Sequence, residues 1–172
     1  TQSSDLEGTG ATSDVSGLIG LYAHGNEPSH HIAYLYNHAG QPWKTQELVR
    51  RIMRELYREG REGLSGNADC GQMSAWYVLS AMGLYPLNPC GGVYEIGSPA
   101  LRRAEIMLGE GRSFVVEAEQ NSAENVYVQS ATLNGETLTA TRIRHEDVMR
   151  GGTLRLRMGP EPSTLWSTDE QR

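Results

Sequence analysis

The stretch GLSGNADCGQMSAWYVLSAMGLYP, residues 63–86, is where the chain changes character. Its first part, Gly63 to Gln72, is small, polar and glycine-rich, which reads as a loop. From about Gly71 to Met82 the residues are apolar on more than one side, a helix that Gly83 ends. A helix without a polar face belongs inside an assembly of several helices. Upstream, Thr45 can cap a helix that places Leu48, Val49, Ile52, Met53, Leu56 and Tyr57 at three- and four-residue spacing. Further upstream, Pro28 suits a first helical position, with Ile32, Leu35 and Tyr36 on one face before Gly40.

Beyond Pro86 the period becomes two. Residues 113–119 (SFVVEAE) alternate in part and 153–158 (TLRLRM) cleanly, and residues 126–129 and 132–139 are β-prone around Asn134-Gly135, a tight-turn pair. Helices followed by strands predict an α+β chain. We divide it into a polar lead-in at 1–16 that reads as a flexible loop or a cut edge, a helical part at 17–86 and a β-rich closing part at 87–172. About three helices and a handful of short strands make an odd freestanding fold, so each part reads as the end of a larger unit.

The chain has 172 residues, with 38% hydrophobic and 21% charged, as in a globular protein. Its formal net charge of −6 argues against nucleic acid, which needs a basic surface. The arginines between Arg50 and Arg61 are interleaved with Glu47, Glu55 and Glu59, the pattern of a solvated helix face. No apolar run is long enough to cross a membrane. Cys70 and Cys90 form no disulfide framework or zinc site by themselves, leaving a single bridge or two buried thiols.

Two segments are dense in ionisable and turn-forming residues, YAHGNEPSHH at 22–31 and GLSGNADCGQ at 63–72, each just before a helix. Helix starts favour carboxylates, so Glu27 and Asp69 could simply be caps. The functional alternative has both loops aiming oxygens at one site. Glu27, Asn26, Asn67 and Asp69 offer the hard oxygen ligands Ca2+ accepts, and His24, Trp43, Trp76 and Gln72 offer sugar contacts. Either tryptophan could equally be core. Zinc fits poorly: His24, His30 and His31 do not match HExxH, and adjacent helical residues point about 100° apart.

Residues 24–46, HGNEPSHHIAYLYNHAGQPWKTQ, and residues 63–86 closely resemble signatures of glycoside hydrolase family 92. So do YEIGSP (94–99), LNG (133–135) and GGTLRLRMG (151–159), in the same order, so the resemblance covers about residues 17 to 166. It implies an exo-acting, inverting, calcium-dependent α-mannosidase built from a β-sandwich and an (α/α)6 barrel. This chain would supply the barrel's last helices, then short antiparallel strands closing onto the sandwich or a small sheet.

Carried over by position, Glu27 with Asn26 matches the calcium site and Asp69 the general base beside it. His24, Trp43, Lys44 and Gln72 fall within the matching motifs as substrate-binding candidates. Many members have an acidic residue where this chain has Asn67; an amide holds water without taking its proton, leaving Asp69 as sole base. The family's general acid lies upstream of HGNEP, where Glu7 is the only glutamate and sits in no acid motif. The resemblance therefore implies a segment inactive alone, completed by the amino-terminal part of its polypeptide, acting outside the cytoplasm on mannose-containing glycans. The competing readings are a non-catalytic sugar-binding or structural fragment, another (α/α)6 hydrolase, and a plain α+β module with acidic caps.

Overall fold

The structure is a computed structural model, and it describes residues 16–164 and 166. Most of the lead-in, with Glu7, lies outside the described residues. The helical part begins with a two-residue ladder, β1 (Leu18–Ile19) against β2 (Tyr22–Ala23). Two 3-10 turns follow, Glu27–Ser29 and Ile32–Tyr34, before the short α1 (Leu35–His38). Then come α2 (Pro42–Leu56) and α3 (Gln72–Met82).

Three expectations are corrected here. The Pro28–Gly40 stretch is two 3-10 turns and one helical turn rather than a single helix, and Tyr34 and Asn37 face inward while Ile32 and Leu35 are exposed. Thr45 does not cap α2. The helix starts at Pro42, whose missing N–H costs nothing at that position, and Thr45 is buried inside it with an unpartnered hydroxyl. Cys70 and Cys90 are neither bridged nor buried; both are exposed free thiols.

Gly83 ends α3 as expected, in the left-handed conformation at φ +93°, its N–H closing on the Ser80 carbonyl. The chain then enters β3 (Leu84–Tyr85) and β4 (Val93–Ile96), followed by β5 (Arg103–Gly109) and β6 (Arg112–Glu119). After β7 (Tyr127–Leu133), Asn134 and Gly135 turn at φ +53° and +88° into β8 (Glu136–Leu138). Next are β9 (Arg142–Arg144), α4 (His145–Arg150) and β10 (Gly152–Gly159). One sheet runs β5-β6-β10-β7-β8 and a smaller one β3-β4-β9.

The strands are not all antiparallel. β10 lies antiparallel to β7 but parallel to β6, with Leu154 beside Val116 and Leu156 beside Ala118. Strict alternation then buries Phe114, Val116 and Ala118 with Leu154, Leu156 and Met158, while Arg155 and Glu117 meet on the outer face. A second core joins Val49, Ile52 and Met53 of α2 to Tyr34, Trp76 and Tyr85.

Polar struts tie the two parts. Gln46 accepts the Val128 backbone N–H at 3.0 Å, and Asn37 donates to Glu95 at 2.8 Å. Arg50 departs from the solvated-face expectation. It is half-buried and donates to Ser98 Oγ at 3.0 Å, to Asn121 and to the Ser122 carbonyl. Arg51 does pair on the surface with Glu55, at 3.0 Å.

Candidate functional site

The loops at 22–31 and 63–72 pack directly on each other. A Cβ added at Gly25 would lie 2.5 Å from the Ser65 carbonyl oxygen, and one added at Gly66 would lie 3.0 Å from the Gly25 Cα. Only glycines allow this approach. Ser16 donates to the same Ser65 carbonyl, and Ser65 donates to the Leu56 carbonyl at 2.7 Å, fastening the second loop to the end of α2.

Beneath the contact lies a buried, fully ordered chain of polar groups. Tyr57 gives its one hydroxyl proton to the Met73 carbonyl at 3.0 Å, so at 2.6 Å it must accept from His24 Nε2. His24 therefore carries its proton on Nε2, and its Nδ1 accepts from Tyr22 at 2.8 Å. Burial, with His30 alongside, pushes the His24 pKa down to about 3, which keeps the ring neutral. His30 stacks on it at 4.5 Å between ring centroids and donates from Nε2 to the His24 carbonyl at 2.9 Å. Burial also lowers the His30 pKa, though its bond to His24 and the Glu27 carboxylate pull the other way. Its Nδ1 then accepts from Gln72 Nε2 at 3.3 Å, and its backbone carbonyl accepts from the Trp76 indole at 3.1 Å.

The capping explanation of the two carboxylates does not hold. Asn26 occupies the cap position of the first 3-10 turn and Gly71 that of α3, and neither end has a side-chain cap hydrogen bond. Glu27 Oε1 is buried with no hydrogen-bond partner. A desolvated carboxylate oxygen without a donor is costly, which makes it a fitting ligand for a hard cation. Asp69 is exposed and heads three consecutive left-handed residues, Asp69, Cys70 and Gly71, at φ +35°, +55° and +88°. Each non-glycine residue held there costs on the order of 1 kcal/mol, and such turns cluster at functional sites.

The other candidates separate. His24 is fully buried with both ring nitrogens engaged, and Gln72 is committed to His30 and Tyr85, so both support the loops from below. Trp76 is core. Asn67 is exposed beside Asp69. Trp43 and Lys44 sit on the first turn of α2, and Lys44 lies over the Tyr36 ring at 5.4 Å. The Leu56 end, which holds the second loop, is roughly 20 Å further along the same helix. That separation sets these two residues apart from the anchor of the second loop. Among the described residues, no three of His, Cys, Asp and Glu gather as a ready metal cage.

Sequence reading missed Tyr22 as a partner and took Tyr57 only as an apolar helix residue. Their hydroxyls order the buried chain, and periodicity carries no signal for a hydroxyl. Tyr57 and Tyr77, with ring centroids 4.7 Å apart, also line a surface hollow of about 330 Å³ bounded by Arg58 and Leu64.

The two acidic loops thus meet above a polar platform, and comparison with known proteins places the chain in a family. The chain is 36% identical over 149 residues to an uncharacterized secreted glycosidase of Arthroderma benhamiae, covering 85% of this chain. It superposes on an α-mannosidase of Bacteroides thetaiotaomicron solved with mannoimidazole, with a TM-score of 0.87, 39% identity and 91% of this chain covered. An inverting mannosidase of Bacteroides thetaiotaomicron VPI-5482 aligns over 87% of this chain with a TM-score of 0.81 and 45% identity. The sequence model of the glycosyl hydrolase family 92 catalytic domain matches residues 2–160, and the chain belongs to that family. It spans about a fifth of these relatives' lengths, 19%, 21% and 20% respectively.

Proposed function

We propose that this chain is the segment of an inverting, calcium-dependent exo-α-mannosidase that carries the general base and part of the cation site. The observation that carries the reading is the contact of the two acidic loops, with Glu27 holding an unpartnered carboxylate oxygen beside it. Glu27, Asn26 and Asp69 would hold the calcium ion. When bound, calcium supplies a fixed positive charge that orients sugar hydroxyls and favours an oxocarbenium-like ring.

Asp69 takes the proton of the attacking water. Asn67, an amide, orients water without accepting a proton, so the base function falls on Asp69 alone. Inversion requires an acid roughly 6.5–9.5 Å from the base, on the other side of the bond being cleaved. That acid comes from the amino-terminal part of the polypeptide. The same part covers the apolar side chains left outward in the helical half, Leu21 at 93% exposed, Ile32, Leu35 and Val78 among them. Substrates are terminal α-mannosides such as those of N-glycans, met outside the cytoplasm as the secreted relative suggests.

Turnover of an aryl α-mannoside tests the reading. The complete enzyme is expected to be active, and Asp69→Asn in it to lose about 10²–10⁴-fold in kcat. The 172-residue chain alone is expected to give none. Activity of the isolated chain, or a loss below tenfold for Asp69→Asn, would contradict it.

A further inference from the structure

Backbone hydrogen bonds tie two residues, His30 and Gln72, to the two candidate carboxylate residues in parallel fashion. The His30 N–H donates to the Glu27 carbonyl at 3.0 Å, and the Gln72 N–H donates to the Asp69 carbonyl at 3.1 Å. The His30 and Gln72 side chains then bond to each other across the gap between the loops at 3.3 Å. We propose that this His30–Gln72 pair is a crossbar that sets the position of Glu27 relative to Asp69, making both of them positioning residues for the cation and the base. The inference rests on the mannosidase reading above and deepens it.

The pair is suited to the task because its order is imposed from outside. His30 is 1% exposed, its Nε2 is committed to the His24 carbonyl, and its own carbonyl is held by Trp76. Only Nδ1 remains to meet the Gln72 amide. Gln72 directly follows the left-handed turn that begins at Asp69, and its backbone N–H closes that turn on the Asp69 carbonyl. Neither side chain needs to touch sugar or metal to act. Groups one layer behind metal ligands commonly change affinity by about 10–100-fold when removed.

The test uses the complete enzyme, calcium calorimetry and steady-state kinetics. Gln72→Met keeps the volume and cannot donate, and His30→Leu removes both bonds; each is expected to weaken calcium binding and lower kcat by about 10–100-fold. His30→Gln, whose amide can donate to His24 and accept from Gln72, should recover most of that loss. A Gln72 that only contacts substrate predicts the opposite split, a raised KM with calcium affinity unchanged. Should His30→Leu fail to fold, the half-buried Gln72→Met decides alone. Unchanged calcium affinity and kcat in Gln72→Met, beside a calcium-dependent wild type, overturn the crossbar only. A wild type that neither binds calcium nor cleaves α-mannosides overturns the mannosidase reading and the crossbar with it.

Discussion

The two halves of this chain are held together by different means. The β half is an apolar lock, in which Phe114, Val116, Leu154, Leu156 and Met158 alternate inward from adjacent strands and charged residues alternate outward. The helical half buries Tyr34, His24, His30 and Trp76, together with hydroxyl, imidazole and amide groups that must each find a partner. It also holds consecutive non-glycine residues, Asp69 and Cys70, in the left-handed region. A core that tolerates exchange of one apolar residue for another suits a brace; a polar network with one satisfied arrangement suits a site that must hold its geometry.

Substitutions in the two halves should therefore separate stability from turnover. The largest expected effect is the Asp69→Asn loss of kcat given above, and its melting temperature should stay near wild type because Asp69 is exposed. A large drop in melting temperature would mean that the acidic turn is structural. Leu156→Ala should do the reverse, costing about 2–5 kcal/mol of stability while any folded enzyme keeps its kcat. Denaturant unfolding and single-turnover kinetics on the same preparation check both.

Acid provides a third contrast. His24 is neutral in the folded chain, with its pKa lowered from 6.5 to about 3, and it charges in the unfolded chain near 6.5. Its contribution to stability is therefore full above pH 6.5 and is lost as pH falls toward about 3. One such group gives a slope approaching about 1.4 kcal/mol per pH unit, and His30 adds in the same direction. Unfolding midpoints between pH 7 and 4.5 should show the slope, and His24→Gln should reduce it; a flat profile would contradict the neutral pair. Smallest is Glu117→Gln, which removes the exposed pairing with Arg155 at 2.8 Å and should change stability by less than about 1 kcal/mol. A larger loss would show that the outer face also bears load.

How much of this was legible in the sequence follows the same division. TLRLRM, the Asn134-Gly135 turn and the Gly83 stop were readable because each depends on local chemistry alone. The edge strand β5 was not: its alternation leaves every second residue only half-buried, a weak signal. The parallel pairing of β10 with β6 was hidden as well, since it joins residues some forty positions apart and is decided by which faces fit. The short α4 gave no periodic run to detect.

At the site, motif resemblance singled out both loops, while the division of labour within them required coordinates. Nothing local distinguishes His24, fully buried, from His31, exposed seven residues later. The same holds for Trp43 and Lys44, which share a motif with Glu27 in sequence but sit on the first turn of α2, at the opposite end of that helix from the anchor of the second loop.

Calcium titration of the complete enzyme by calorimetry, with Glu27→Gln alongside, tests most directly whether the two loops serve one cation. We expect a single calcium site in the wild type that EDTA strips together with mannosidase turnover, and a Glu27→Gln variant that melts as wild type but binds calcium at least about tenfold more weakly. Equal calcium affinity in the two proteins would contradict the account.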